Sequence, residues 1–170
     1  KDHGLPQNRP RWYCVGIRKD VDRGTFEFPA ASSSRPISSI LGPKSQTDQL
    51  ENITSQMVYN NIKTALHRIE SAEGKPLLDD YIITCDSSPS RAHYMKGISP
   101  CVSAQGGAGG YWITSKQRRL TKEEILKLQG FSPNRLSCVV TDRQIGRMVG
   151  NSMSKNVIQS ILRNALSTID

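Results

Sequence analysis

Arg118 to Phe131 reads RRLTKEEILKLQGF, and no other stretch of the chain carries stronger local signals. Thr121 as N-cap and Glu124 three residues on form a capping box. The hydroxyl accepts the Glu124 amide and the carboxylate returns to the N-cap amide. Leu120 and Ile125 stand where a hydrophobic staple packs, and Gly130 is the expected stop. The spacing therefore predicts a helix over Leu120 to Gly130. Working outward, Val157, Ile158, Ile161, Leu162, Ala165 and Leu166 form one stripe of a final helix from about Ser154 to Leu166, and both helices are expected to pack on a core. Upstream, Met57, Val58, Ile62, Ala65, Leu66 and Ile69 predict an amphipathic helix between Thr54 and Ile69, with Thr54 or Ser55 as cap.

Strands are expected at Arg11 to Ile17 (RWYCVGI), at Asp80 to Cys85 (DYIITC) and at Ile98 to Ala104, where Pro100 restricts the run to an edge. Pro29 and Pro36 forbid helix in the loop-rich tract from Phe26 to Ser39, and Gly106 to Gly110 is read as irregular. No internal repeat is visible.

The chain has 170 residues, enough for one domain or a piece of a larger one. It has no apolar run near the roughly 18 residues a membrane helix needs, which excludes a membrane span. A net charge of +8 favours a polyanionic partner, nucleic acid first. The charge is uneven. Residues 97 to 170 carry ten basic and four acidic groups, whereas residues 49 to 96 carry five and six. Cys14, Cys85, Cys101 and Cys138 lack metal-site spacing, and His3, His67 and His93 have no ligand partners at fixed spacing, so no metal is expected. A polar start on Lys1 without an apolar leader reads as a cut through a longer chain or as processing.

Three short motifs, taken in order, carry the functional reading: QNRPR at Gln7 to Arg11, RRLTKEEILKLQGF at Arg118 to Phe131, and GNSM at Gly150 to Met153. Together they resemble the eighth (QxRxR), ninth and tenth (usually GNSV) motifs of the cytosine-5 DNA methyltransferase family. The resemblance covers both ends of the chain. The segment between the eighth and ninth motifs is where that family keeps its variable target-recognition domain. The glycine-rich FxGxG motif, the PCQ motif bearing the nucleophilic cysteine and the ENV motif bearing the acidic residue do not occur in the sequence. The resemblance places them upstream of Lys1.

The implied fold is α/β, the C-terminal part of a Rossmann-like methyltransferase dependent on S-adenosylmethionine, with a small, mostly β recognition domain inserted. Residues 1–45 would end the catalytic domain, 46–117 would be the recognition region, and 118–170 would bring the closing helices back. The least recognisable stretch, Gln46 to Pro76, reads as an outer helix or an insertion.

Residue by residue, Arg11 matches the arginine that bonds O2 of the flipped cytosine, with Arg9 beside the same pocket. A base held outside the duplex needs a permanent donor at its polar edge, which a guanidinium provides. Asn151 and Ser152 match positions lining the S-adenosylmethionine pocket, although helix capping explains the same residue types. Gln7, Arg118 and Glu124 are read as structural. The basic run Lys116, Arg118, Arg119 and Lys122 is read either as phosphate-touching or as a solvated helix entrance.

Pro100-Cys101 imitates the start of PCQ but follows the eighth motif, precedes Val102 rather than Gln, and opens a glycine loop, so Cys101 is not read as the nucleophile. Its better match is the family's Thr-Leu pair opening a recognition loop, with a small buried residue as the plain alternative. Base reading is expected in Ser87, Ser88, Ser90 and Arg91, and in Ser103, Gln105, Gly106 and Gly107. Gln and Arg can bond base edges bidentately, and glycines admit close backbone approach.

The function so implied is methyl transfer to C5 of cytosine in double-stranded DNA, with the missing N-terminal half as partner and this chain alone inactive. A DNA-binding remnant or the recognition subunit of a split enzyme is the rival. The location would be intracellular, nuclear in a eukaryote and cytoplasmic in a bacterium.

Overall fold

The structure is a computed structural model that describes residues 3–44 and 50–169, without the side chains of Glu73 and Arg91. The expected boundary at 45/46 lies outside the described residues. Among the described residues there are four α-helices, α1 (Gln56–Glu73), α2 (Lys122–Leu128), α3 (Asp142–Asn151) and α4 (Lys155–Leu166). They accompany four short strands, β1 (Tyr81–Thr84), β2 (Tyr94–Lys96), β3 (Tyr111–Ile113) and β4 (Arg118–Arg119). The fold is α/β, with one antiparallel sheet in the order β2-β1-β3-β4. A parallel Rossmann-like sheet is not present among the described residues.

Strand alternation divides the core in two. Tyr81, Ile83 and Trp112 face α1 and close over Val58, Ile62, Ala65 and Ile69. Ile82, Tyr111 and Ile113 face the other way, onto Leu120, Ile125 and Leu128 of the ninth-motif segment and Ile145 and Val149 of α3. Covered on both sides, β1 can be almost continuously apolar, as YIIT is. The sheet runs past residue 117 into β4, so the ninth motif supplies both its last strand and the helix packed on it.

α2 forms as its capping box requires, with Thr121 accepting the Glu124 amide and Glu124 accepting the Thr121 amide. Gly130 adopts φ +82° just beyond it. α1 extends the expected helix by one turn, to Glu73, with Ser55 at the N-cap position.

Several expectations are corrected. Arg11 to Ile17 is not a strand, because no ladder partner lies beside it among the described residues. Backbone pairing resumes only beyond it among the described residues, at the Asp22–Ile169 bridge and the Arg23 amide on Thr168 O. Ile98 to Ala104 is not one either: Ser99 makes a single parallel bridge to Gln7, and the Val102 amide is taken by the Gln7 side chain. Gly106–Ala108 forms a 3-10 turn rather than irregular loop, and Ile37–Ser39 forms another after Pro36. α3 was not foreseen; Gly146 in its middle hides a helix that a second capping box, Thr141 with Gln144, begins. Of the apolar stripe on α4 only Ile161 is buried, with Leu162 and Leu166 exposed. The expectation of a mostly β segment over 46–117 is corrected as well: among the described residues 50–117 the longest element is the helix α1.

Candidate functional site

The two segments expected to read bases leave the same end of the sheet. β1 runs out into Asp86, β3 begins after Gly110, and the Cys85 amide bonds Gly110 O at 2.9 Å. A side chain on Gly110 would overlap the Asp86 carboxylate, so the close approach needs glycine there. Ser88 and Ser90 are exposed, their hydroxyls 3.2 Å apart. Ser87 is half-buried, and its Oγ has no partner among the described residues. The Arg91 side chain lies outside the described part.

In the second segment Ser103 Oγ accepts the Gly106 amide at 2.9 Å, and Gln105 is exposed with no side-chain partner among the described residues. Gly106 and Gly107 are buried instead. A Cβ on Gly107 would meet the Gly146 carbonyl of α3, and one on Gly106 would meet the Tyr111 ring. Their close approach is to the protein itself, Gly107 to α3 and Gly106 to the ring on β3, and it shapes the turn behind Gln105. Tyr111 braces the same loop, accepting the Ser103 amide and donating to Cys101 O at 2.8 Å. Burial raises the pKa of this phenol and keeps it a donor.

Gln7, Arg9 and Arg11 meet this loop and the tenth motif together. Arg9 donates to Val102 O and Cys101 Sγ with one nitrogen, and to Gly150 O (2.9 Å) and Ser152 O (2.6 Å) with the other. A rigid five-donor fork suits that junction, and its charge faces the carbonyl end of α3. Arg11 is exposed. One of its nitrogens bonds Pro10 O, the other Cys101 Sγ at 3.3 Å, which leaves N–H donors free for a ligand. Cys101 is half-buried rather than buried, and it receives both guanidiniums. Gln7 is buried and ties the segment to α2 through Leu128 O at 3.0 Å.

In the tenth motif, Ser152 caps α3 by donating its hydroxyl to Val149 O at 2.7 Å. Asn151 is exposed and its amide has no partner among the described residues, so it is available to a ligand.

The model of the C-5 cytosine-specific DNA methylase family matches residues 1–167. The chain belongs to the C-5 cytosine-specific DNA methylase family. Relatives of this DNA methylase chain include Type II methyltransferase M.HhaI of Haemophilus parahaemolyticus, 27% identical over 99% of this chain and 51% of that protein. Type II methyltransferase M.SsoII of Shigella sonnei is 30% identical, over 100% of this chain and 43% of the relative. Type II methyltransferase M.HaeII of Haemophilus aegyptius is 31% identical, over 99% and 49%. The chain thus spans about half the length of the curated relatives it matches.

In this cytosine-5 methylase chain the ninth motif is internal machinery. Arg118 and Glu124 form a buried bidentate pair at 2.7 and 2.9 Å, and Glu124 also accepts the Gly42 and Thr121 amides. Burial alone would raise the Glu124 pKa; the hydrogen bonds from Arg118, Thr121 and Gly42 outweigh it and hold the carboxyl below its usual range. Arg119 bonds Gly109 O, and Lys122 pairs with Asp142 at 2.8 Å. Gln129, quoted within the motif but not singled out, is fully buried. It joins Val149 O, Ser154 Oγ and the Lys155 amide, linking α2 to both ends of the α3–α4 junction. Its only sequence signal was a polar residue at a helix end.

Cys85 is a core thiol whose pKa burial pushes up to about 11, which leaves it no nucleophile. Among the described residues no cluster of His, Cys, Asp and Glu can hold a metal, and no helix is long and apolar enough to cross a membrane.

Proposed function

We propose that this chain is the C-terminal, recognition-bearing part of an intracellular DNA (cytosine-5-)-methyltransferase acting on double-stranded DNA. The observation that carries the reading is the meeting of the eighth motif, the tenth motif and the loop that begins at Cys101. The eighth-motif arginines touch the head of the recognition loop, and through Arg9 they touch the tenth motif.

Arg11, exposed and with donors to spare, holds O2 of an extruded cytosine. It stabilises the negative charge that develops on the ring when a thiolate adds at C6. Arg9, held at both terminal nitrogens by the carbonyls of Val102, Gly150 and Ser152, keeps the pocket wall in place. Ser88, Ser90, Ser103 and Gln105 read bases in the groove, and Gly106 and Gly107 shape the loop that presents Gln105. The free Asn151 amide beside the Ser152 cap fits a small polar ligand and would hold S-adenosylmethionine. That group, when bound, supplies the electrophilic methyl.

The nucleophile and the acid belong to an upstream half with the Rossmann-like sheet and the PCQ and ENV motifs. Exposed Trp12, Leu162 and Leu166 support such a partner, since apolar surface of that kind on neighbouring elements is a contact face in waiting.

The test is transfer of tritiated methyl from S-adenosylmethionine to DNA. The chain alone should give none, and the chain joined to an upstream half bearing PCQ and ENV should give activity that Arg11→Ala lowers far more than it lowers duplex affinity. Methylation by residues 1–170 alone, abolished by Cys101→Ser, would overturn the proposal.

A further inference from the structure

The basic run that the sequence offered to phosphates is mostly paired already: Arg118 to Glu124 in the interior, Arg119 to Gly109 O, and Lys122 to Asp142 at the surface. Two arginines that no motif singled out are not. Arg143 and Arg147 stand one turn apart on α3 and are exposed, and among the described residues neither has a hydrogen-bond or ion-pair partner. Their position is set by the glycines beside them. Gly146 and Gly150 pack so closely on the backbone of 103–108 that a Cβ on either would fall within it. At 3.6 residues per turn, Arg143 lies about 60° around the axis from Gly146, and Arg147 about 60° from Gly150. The arginines therefore form the stripe next to the one that grips the loop carrying Ser103 and Gln105. Ile145 and Val149, buried on the far side of the glycines, fix the helix against rotation.

We propose that Arg143 and Arg147 are a phosphate-contacting edge for duplex DNA, running along the loop Ser103 to Gly110. The inference rests on the DNA-binding reading above and adds residues and a role to it. Two arginines rooted about 6 Å apart along a helix can reach neighbouring phosphates of one strand. Such contacts fix register without reading sequence, and leave base reading to the loop.

The experiment is fluorescence anisotropy of the full-length protein on a fluorescein-labelled mixed-sequence duplex of about forty base pairs, titrated between about 50 and 200 mM salt. Arg143→Gln and Arg147→Gln should each weaken binding and flatten the plot of log affinity against log salt by about 0.9. Arg143→Lys with Arg147→Lys should keep most of the slope. Lys63→Gln with Arg68→Gln, which removes twice that charge from α1 across the sheet, should leave it unchanged. A slope equal to that of the unaltered protein in the Arg→Gln variants, or an equal fall in the α1 control, would overturn the edge while leaving DNA binding intact. No binding by the unaltered protein would overturn the DNA-binding reading and the edge together.

Discussion

The sheet sandwich and the outer face of α4 both carry apolar stripes in the sequence and end in opposite states. Around β1 and β3 every large side chain is covered, and even the charges are internal, with Arg118 and Glu124 each nearly inaccessible. Along α4, Leu162 and Leu166 stay in water, as does Trp12 in the unpaired segment before Ile17. The difference teaches that amphipathic pattern announces a buried face but not which surface buries it. The sandwich finds both its partners within the chain. α4 finds one for Ile161 alone.

The comparison breaks most visibly at the ion pair. Glu124→Ala would strand the Arg118 charge and the amides of Gly42 and Thr121, and should cost about 3–5 kcal/mol in urea unfolding. Because the folded pKa of Glu124 is lowered, its contribution is present above the ordinary Glu value of about 4.3 and is lost as pH falls through the folded value. The acid limb of the stability curve should therefore shrink in Glu124→Gln, and an unchanged limb would mean other carboxylates carry it.

Next in size, Gly146→Ala should destabilise by about 1–3 kcal/mol, since its methyl meets backbone on 103–108 that cannot turn aside. A helix interior otherwise favours alanine by about 1 kcal/mol, so a stabilised variant would show that the loop yields. The smallest effect sharpens the other side. Leu162→Ser should shift the unfolding free energy of the chain by no more than about 0.5 kcal/mol. The same change should weaken capture of an upstream methyltransferase half in a pull-down. A large loss of stability would mean the α4 stripe is already covered.

What could be read beforehand follows the range of the interaction involved. The capping box at Thr121 and Glu124 lies within four residues, and the structure repeats it. β1 and the start of α1 are similarly local. Arg11 to Ile17 has the composition of a strand, but a strand exists only beside another. Gly106 and Gly107 suggested an open loop, because the sequence does not display the Tyr111 ring and the Gly146 carbonyl they pack against.

The sequence by itself determined the family, through three motifs in order, and the ends of α2, through a capping box and a glycine stop that act over a few residues. Only the tertiary structure decided that Arg9 is a clamp while Arg11 stays exposed, that Arg118 faces inward, that α3 exists, and that its arginines flank the loop 103–110. The physical reason is that local hydrogen bonds are encoded by neighbours in the chain. Burial, close glycine contacts and the partner of a long charged side chain depend on residues up to 143 positions away, whose proximity exists only once the chain has folded.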